Sequence, residues 1–454
     1  MGPMWPDLKV KCNDLTLCYG VKQGMTTLYL LTDDLRLADN PALAAAAEDT
    51  ALAVACCIDE SLFTRDRFGC QGMGRLRWQF QRESLLDLNQ SLSELGHTLH
   101  ILRGSPLDIY SDILEKYRFN RVVRARGHEL GRATWWQQLR QRFPRVEFVE
   151  ADTSTLYHVD QIETADLNGS FSVFRRRVCE TAFRTLVPAP ASLPSPIELE
   201  GELIVTPEPG DIRGGAIAAQ AHLQRYFSTG AASTYKETRN ELEGRSFSTG
   251  FSPYLANGCL SPVQVVHRLT KYEQIHGAND STQWILFELL WREFFRWYGW
   301  YHGEKLYAFT GINDKRPLTT FYQDRFNHWR NGNTPWDIVN ACMRELNQTG
   351  QLSNRGRQIV ASCLINQLGL DWRCGASYFA QQLIDYDPCS NWGNWQYIAG
   401  VGADPRGGRQ FNLEKQAEQW DPDHQYRTRW NSSVAAKAMD SYDYYGWPQE
   451  VGKP

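Results

Sequence analysis

Several common catalytic signatures are missing from these 454 residues. No GxGxxG follows the first strand-like segment, so the usual dinucleotide-binding fingerprint is absent. The chain also has no GxxxxGK[ST] phosphate loop and no GxSxG nucleophile elbow. Its histidines do not show the spacing of metal ligands, and we predict no metal site. These absences argue against conventional dehydrogenases, NTPases, hydrolases and metalloenzymes.

The chain also has no long apolar run, no paired cysteine motif and little net charge. No stretch approaches the roughly 20 apolar residues of a membrane span, so we expect no membrane association. The 11 cysteines include no CxxC pair, which is typical of a reducing compartment. Because the formal net charge is −4, binding to nucleic acid would require a local basic patch. We expect a monomer in the cytoplasm, or in an organelle of a eukaryote, with residues 1–25 as an N-terminal extension that is no signal peptide.

The order of apolar segments predicts two domains. Strand-like and helical segments alternate over residues 26–152, which predicts a doubly wound α/β domain with a five-stranded parallel sheet. Six prolines fall within residues 186–212, and we therefore assign residues 153–214 to a long linker. Residues 215–435 show helical periodicity and predict an all-α domain, followed by a short tail at 436–454.

Tryptophan is abundant where other features are scarce. The chain has 16 tryptophans, most of them beyond residue 280, which is about twice an average share. Because a buried indole N–H needs a partner, such a cluster suggests a flat aromatic ligand, base stacking or electron transfer through indoles. Four segments of the helical region bear on this choice.

The first segment carries hydroxyls, at Tyr235–Asn240 and Ser248–Pro262. Hydroxyls and free amides at a helix start, with Arg239 nearby, can hold a pyrophosphate. The alternative is a plain capped helix beginning at Ser261-Pro262.

The second segment, Trp284–Arg296, places a carboxylate and an indole on one helix face, because Glu288 and Trp291 are three residues apart. This pair could read a base, or it could belong to an ordinary amphipathic helix.

The third segment, Met343–Gln358, has Arg355 and Arg357 in the first turn of a helix capped by Ser353 or Asn354. The helix dipole disfavours cations there, so an anionic partner is expected, although plain surface arginines remain the alternative. The fourth segment, Asp371–Arg373 and Asp385–Tyr397, combines indoles with amides and carboxylates that need partners if buried. A flavin would supply those partners.

Together, the four segments resemble the photolyase/cryptochrome family over residues 26 to 430, in the family's order. The MRELNQTGQLSNRGRQ segment, the Asn391–Trp395 run and Gly400–Arg406 resemble its DASH-type branch. The resemblance implies an α/β domain, a linker and a helical domain that binds FAD. It assigns the FAD contacts to Tyr235, Ser248, Thr249, Ser252, Arg292, Asn354, Arg357, Asp385, Asp387 and Asn391. It also implies that Arg357 and Asp385 pair beside the isoalloxazine ring of the flavin.

The resemblance also implies a substrate, a pyrimidine dimer flipped out of DNA. Glu288 would hydrogen-bond the dimer and Trp291 would stack on it, with Asn391 beside the flavin as the third catalytic residue. Family members that act on duplex DNA have Trp and Met where this chain has Tyr397 and Gln358. The pocket is therefore more polar, which favours a dimer already in a single strand. The remaining DNA contacts are expected at Arg355, Gln358, Tyr397, Arg406 and Arg409.

Two further assignments follow from the resemblance. Trp395 and Trp372 match the proximal and middle members of the family's electron-transfer chain, but the distal position falls near Thr319, and no tryptophan is there. Trp329 or Tyr322 could replace it. Glu129, in the His128-Glu129 pair, matches a contact to a methenyltetrahydrofolate antenna; a solvated glutamate at a helix start is the alternative.

We therefore predict a DASH-type DNA photolyase, which uses reduced FAD and blue light to repair cyclobutane pyrimidine dimers in single-stranded DNA. RNA is a second candidate partner. A blue-light photoreceptor acting through other macromolecules is the alternative function, and a flavin redox protein without nucleic acid is a third. Only 24 residues follow Trp430, and so short a tail favours repair over signalling. Glu288 beside Trp291 favours nucleic acid over the third alternative.

Overall fold

A computed structural model describes residues 24–128, 130–163, 167, 170–202, 206–244, 247–403 and 407–432. The described residues form two compact units. One lies within residues 1–62, 78–236 and 249–303, and the other within residues 63–77, 237–248 and 304–454. The domain limits proposed from sequence stay predictions.

The first unit contains a parallel sheet with strand order β3-β2-β1-β4-β5, to which a two-residue strand, β6, adds by pairing with β2. All neighbours are parallel. The central strands are almost wholly buried, as expected for a sheet covered on both faces. The predicted α/β class and five main strands are thus confirmed. The strands are β1 Thr26–Leu30, β2 Ala51–Asp59, β3 Leu99–Gly104, β4 Arg121–Ala125, β5 Glu147–Ala151 and β6 Ser195–Pro196.

Side-chain caps begin several helices of the first unit. The Asn40 side chain accepts from the Leu43 amide, and Ser261 accepts from the Gln264 amide, with proline next in both cases. Asn279 caps the longest helix in the same way. The helices are α1 Pro41–Ala46, α2 Arg75–Ser93, α3 Pro106–Tyr117, α4 Leu130–Arg142, α5 Phe171–Val178, α6 Ala216–Ser228, α7 Tyr235–Thr238, α8 Ser252–Ala256, α9 Pro262–His276 and α10 Asp280–His302; α2 starts within the residues of the second unit.

Buried charges fasten distant segments of the first unit together. The Asp39 carboxylate accepts two hydrogen bonds from Arg184, at 2.8 and 2.7 Å. The Arg36 guanidinium donates to the carbonyls of Asp39, Thr153 and Gly258, at 2.6, 2.6 and 2.8 Å. Because an unpaired buried guanidinium would be costly, these contacts fix the segment after the sheet against the first strand's loop.

A second buried carboxylate holds the same segment against α10. Glu293 accepts from the backbone amides of Leu156 and Tyr157, at 2.8 and 3.3 Å, and from the Trp297 indole at 2.7 Å. Burial raises the pKa of the Glu293 carboxyl. The three donors compensate for part of that burial cost.

The second unit is helical, as predicted. Its core includes the fully buried rings of Trp329, Trp372 and Phe326, with Trp395 only 3% exposed. A π-helical turn, Cys363–Gln367, follows one helix. The helices are α11 Gln323–Arg330, α12 Asp337–Thr349, α13 Asn354–Ser362, α14 Trp372–Gln382, α15 Pro388–Ala399, α16 Leu413–Trp420 and α17 Gln425–Arg429.

Within the described part of the chain, none of the helices is long and apolar enough to cross a membrane.

Candidate functional site

In the first unit, the residues assigned to the FAD phosphates lie around two short helices. Tyr235 is buried at the start of α7, and Ser252 is exposed at the start of α8. The Thr249 carbonyl hydrogen-bonds the His222 ring at 2.8 Å. Ser248, which belongs to the second unit, is exposed. Thr249 is thus positioned through its backbone, and the exposed hydroxyl of Ser252 is accessible to a ligand.

Arg292 of α10, which is assigned to FAD, also makes structural hydrogen bonds. Its guanidinium donates to the Ser154 carbonyl at 2.7 Å and to the Leu255 carbonyl at 3.2 Å. These bonds connect α10 with α8 and with the segment that follows the sheet. The side chain is therefore held in a fixed orientation, as a ligand-binding arginine requires.

One face of α10 carries the two residues assigned to the dimer. Glu288 accepts a hydrogen bond from the Trp284 indole, with 3.0 Å between Nε1 and Oε1. The half-buried Trp291 ring stacks on Phe171, with ring centroids 3.8 Å apart and planes 14° apart. Sequence patterns did not indicate Phe171, which fixes the indole plane from a helix about 120 residues earlier in the chain. Its only local signal was an aromatic residue at the start of α5.

The antenna assignment cannot be located in the same way. Glu129 lies outside the described residues. His128 is buried, and its ring meets the Trp297 ring edge-on, with centroids 5.1 Å apart. The histidine of this pair therefore packs within the first unit.

In the second unit, the pair predicted to lie beside the flavin is formed. Arg357 donates from Nη2 to Oδ2 of Asp385 at 2.7 Å, and from Nε to the Leu352 carbonyl at 2.9 Å. The Asp385 side chain is only 7% exposed. Its second oxygen, Oδ1, is buried and accepts no hydrogen bond within the described structure. A buried carboxylate oxygen of this kind calls for a donor from a ligand.

The neighbouring polar residues are fixed by helix caps. Asp387 caps α15 by accepting from the Ser390 amide at 2.8 Å. Asn391, one turn later, is buried and donates from Nδ2 to the Ala376 carbonyl at 3.0 Å. Asn354 begins α13 and is exposed, while Ser353 is the cap, since its Oγ accepts from the Gly356 amide. Hydrogen bonds therefore fix Asp387 and Asn391 near the start of α15, whereas Asn354 lies exposed at the start of α13.

The tryptophans assigned to electron transfer lie in the core of the second unit. The Trp395 ring meets the Trp329 ring at 6.3 Å and the Phe379 ring at 5.1 Å, both edge-on. Gly375 makes room for Trp395, because a Cβ there would lie 2.2 Å from the indole Cη2. Trp329 is fully buried and donates to the Val360 carbonyl. Trp329 therefore neighbours the proximal residue but does not reach solvent.

A different pair of rings connects Trp372 with less buried positions. The Trp372 ring lies 5.7 Å from that of Trp392, which lies 5.0 Å from that of Tyr307. Both Trp392 and Tyr307 are half-buried. The Thr320 amide donates to the Gly369 carbonyl and the Asp371 amide donates to the Thr320 carbonyl, so the segment that follows Thr319 runs beside the residue that precedes Trp372. The sequence argument missed Trp392 and Tyr307 as relay candidates.

Two of the arginines assigned to DNA each lie over an aromatic ring. Arg409 donates to the Tyr397 hydroxyl and stacks over the Tyr397 ring, 5.1 Å from its centroid. Arg355 stacks over Trp420 at 4.9 Å. Gln358 is half-buried on α13, and Arg406 lies outside the described residues.

The carboxyl of Glu345 on α12 gives the second unit a testable pH dependence. Burial raises the Glu345 pKa to about 7, although a hydrogen bond from Tyr426 opposes the shift. The folded pKa exceeds the unfolded one, so stability is complete below the unfolded pKa and falls as pH rises through the folded pKa. We expect Glu345→Gln to exceed the parent's free energy of unfolding by about 2 kcal/mol at pH 8 and to match it only at about pH 4 or below.

Urea denaturation of both proteins at several pH values measures this difference. Glu304→Gln is the matched control, because Glu304 is exposed. The interpretation is wrong if Glu345→Gln keeps the parent's decline between pH 5 and pH 8.

Comparison with known proteins agrees with this geometry. The DNA photolyase family matches residues 27–195, and the FAD binding domain of DNA photolyase matches residues 284–451. A cryptochrome DASH of Idiomarina loihiensis is 44% identical over 431 residues, 93% of this chain and 96% of that protein. A cryptochrome DASH of Vibrio parahaemolyticus is 43% identical over 430 residues, with 93% and 96% covered.

Solved structures are similar as well. The crystal structure of a Synechocystis cryptochrome aligns with a TM-score of 0.84 and 37% identity, over 89% of this chain and 88% of that one. A class III photolyase from Agrobacterium tumefaciens aligns with a TM-score of 0.77 and 26% identity, over 96% and 92%. Similarity of this extent, over both the sheet and the helical part, shows that the chain belongs to the photolyase/cryptochrome family, with DASH cryptochromes among its relatives.

Proposed function

We propose that this protein repairs cyclobutane pyrimidine dimers in single-stranded DNA under blue light, with FAD as its redox cofactor. The observation that carries the proposal is the shared face of α10, on which Glu288 and Trp291 place a carboxylate and an indole three residues apart. Such a pair favours a nucleic-acid substrate over a role limited to electron exchange.

The polar residues of the second unit fit a flavin. Asp385 has a buried oxygen that lacks a donor, and an isoalloxazine ring system carries N–H groups that could donate to it. Arg357 and Asn391 add a cation and an amide that are already oriented by hydrogen bonds. When bound and reduced, FAD supplies the electron that light transfers to a dimer. Tyr235, Ser248, Thr249, Ser252, Arg292, Asn354 and Asp387 complete the proposed FAD contacts.

On α10, the protein would bind and orient the dimer. The plane of the Trp291 indole is set by Phe171, so a base can stack on it without first ordering the ring. Stacking contributes roughly 1–3 kcal/mol per base. Glu288, oriented by the Trp284 indole, would accept hydrogen bonds from the base edges. These two contacts act on the dimer's bases, and they require a dimer that has left the base stack.

The second unit supports the preference for single strands. The Tyr397 hydroxyl accepts a hydrogen bond from Arg409. Gln358, which directly follows Arg357 in the sequence, is half-buried. Such polar side chains give less stacking than the tryptophan and methionine of the family's duplex enzymes. Extruding a dimer from a duplex costs a few kcal/mol, and a weaker platform compensates for less of that cost.

Repair of a thymine dimer in a short oligonucleotide, single-stranded and annealed, tests the proposal. We expect repair under blue light but not in the dark, at least about tenfold faster in the single strand. Glu288→Gln should lose most of the activity. Glu304→Gln is the control and should keep it, because the Glu304 carboxylate is exposed. A flavin-containing protein that repairs neither substrate would instead support the photoreceptor alternative.

The antenna remains part of the proposal. We assign it to methenyltetrahydrofolate and its contact to Glu129, on the resemblance alone. An absorbance band of the folate in the purified protein, lost in Glu129→Gln, is the expected result.

A further inference from the structure

A cavity of about 450 Å³ opens in the second unit, and none of its lining residues is assigned to the flavin. This volume lies within the range of small-ligand sites. Its walls combine two aromatic rings, Trp336 and Phe411, with the polar side chains of Gln367, Gln410, Asn412 and Glu414. Rings that can stack, beside amides that can donate and accept, are the groups that proteins use to bind single bases.

The cavity wall is built from ordered segments. The Phe411 amide donates to Ser362 Oγ at 2.9 Å, and Asn366 donates to the Arg409 carbonyl at 3.0 Å. Asn412 caps α16 by accepting from the Lys415 amide. Because these bonds fix the segment from Arg409 to Asn412, the cavity is formed before any ligand binds.

One acceptor of this wall has no donor. The Gln367 side-chain oxygen is buried and takes part in no hydrogen bond of the described structure. A base edge, with its amino or imino hydrogen, is a donor of the kind this oxygen needs.

A positive charge lies over the Phe411 ring. The Arg355 guanidinium is 5.8 Å from the Phe411 ring centroid, and it contacts the amide oxygens of Gln416 and Asn240, both at 3.3 Å. These partners are neutral, and the buried Nε–H donates to none of the described residues. Burial and the nearby Arg239 lower the Arg355 pKa. Two cations placed this close favour a bound anion.

We propose that the Trp336–Phe411 cavity is a base-binding subsite, which takes one unpaired base of the DNA strand while Arg355 holds the adjoining phosphate. The subsite rests on the proposed function, because it assigns a place to an undamaged nucleotide of the same single strand. The subsite would give the protein a second contact with a single strand. A duplex could not make this contact, since its paired bases are not available for stacking. The preference for single strands would then come from two places in the protein.

Binding of the whole protein to an undamaged, fluorescently labelled oligothymidine in the dark tests the subsite. An abasic residue is introduced at each position of the strand in turn. We expect one position at which the abasic residue weakens binding by roughly tenfold. Trp336→Ala should weaken binding of the intact strand by a similar factor, and the abasic residue should then cause no further loss.

Gln410→Leu is the second variant. The Gln410 side chain is exposed, so this substitution, unlike one at Trp336, does not alter the residue that precedes α12. It should reduce the difference between the intact and abasic strands. Trp300→Ala, at an exposed tryptophan of α10, should behave as the parent. The subsite is refuted if no position is sensitive to base removal, or if the sensitivity persists in both Trp336→Ala and Gln410→Leu. Thymidine monophosphate that competes as well as the strand would also refute it, since the site would then serve free nucleotides.

This assay needs neither a dimer nor light. Loss of repair with the base-sensitive position intact would overturn the proposed function alone, and repair without such a position would overturn the subsite alone.

Discussion

Asp385→Ala is expected to leave the purified protein without its yellow flavin absorbance. The substitution removes the partner of Arg357, at 2.7 Å, and the buried oxygen that awaits a donor. A hydrogen bond to a charged group contributes about 1.5–3 kcal/mol, so losing it should weaken FAD retention by about 10- to 100-fold. Absorbance at the flavin band, relative to that at 280 nm, measures the bound fraction.

Two further variants separate binding from folding. Asp385→Asn keeps the shape and one acceptor, and should lose less flavin than the alanine variant. Asp423→Ala removes an exposed carboxylate of the same unit and should retain the parent's flavin content. Thermal unfolding followed by circular dichroism shows whether the alanine variant is folded. A folded Asp385→Ala protein with full flavin content would remove Asp385 from the proposed site.

Trp392→Phe should slow light-driven reduction of the bound flavin by an order of magnitude or more. The Trp372 ring is buried, and its contact with Trp392, at 5.7 Å, continues to Tyr307 at 5.0 Å. Phenylalanine is far harder to oxidise than tryptophan, so the variant interrupts electron flow while it keeps most of the packing. Absorbance under continuous blue light, with a thiol as the external reductant, gives the rate.

Trp329→Phe is the matched comparison, since the sequence analysis offers Trp329 as a candidate to replace the missing distal tryptophan. Its full burial and its contact with Trp395 place it beside the start of the route, and a buried ring cannot collect electrons from a reductant in solution. We therefore expect a nearly unchanged rate. The opposite pattern, slow in Trp329→Phe and normal in Trp392→Phe, would restore Trp329 as the exit. Tyr307→Phe should fall between the parent and Trp392→Phe.

Local sequence patterns predicted the elements that depend on local physics. Short apolar runs predicted the five main strands, and the proline after Ser261 marked a helix start, because both signals act within a few residues. The pairing of Arg357 with Asp385 was expected only from the resemblance to the family, and the structure forms it.

Contacts between distant segments could not be predicted in this way. Nothing near Phe171 indicates that it stacks on Trp291, and nothing near Arg355 indicates Trp420 beneath its guanidinium. The sequence suggested that Arg355 seeks an anion, but tertiary packing also gives it an aromatic partner and two amides. The route through Trp392 was missed for the same reason, since Tyr307 lies 85 positions away in the sequence.

The buried anchors of the first unit limit how the chain can be divided. Arg36 donates to the Gly258 carbonyl, and Glu293 accepts from the Leu156 and Tyr157 amides. A fragment that stopped at residue 214 would lose both acceptors and would bury donors that nothing satisfies. The α/β sheet is therefore no detachable module: its native surroundings include α8 and α10, and the part of the chain that the family uses for its flavin also completes the fold of the sheet.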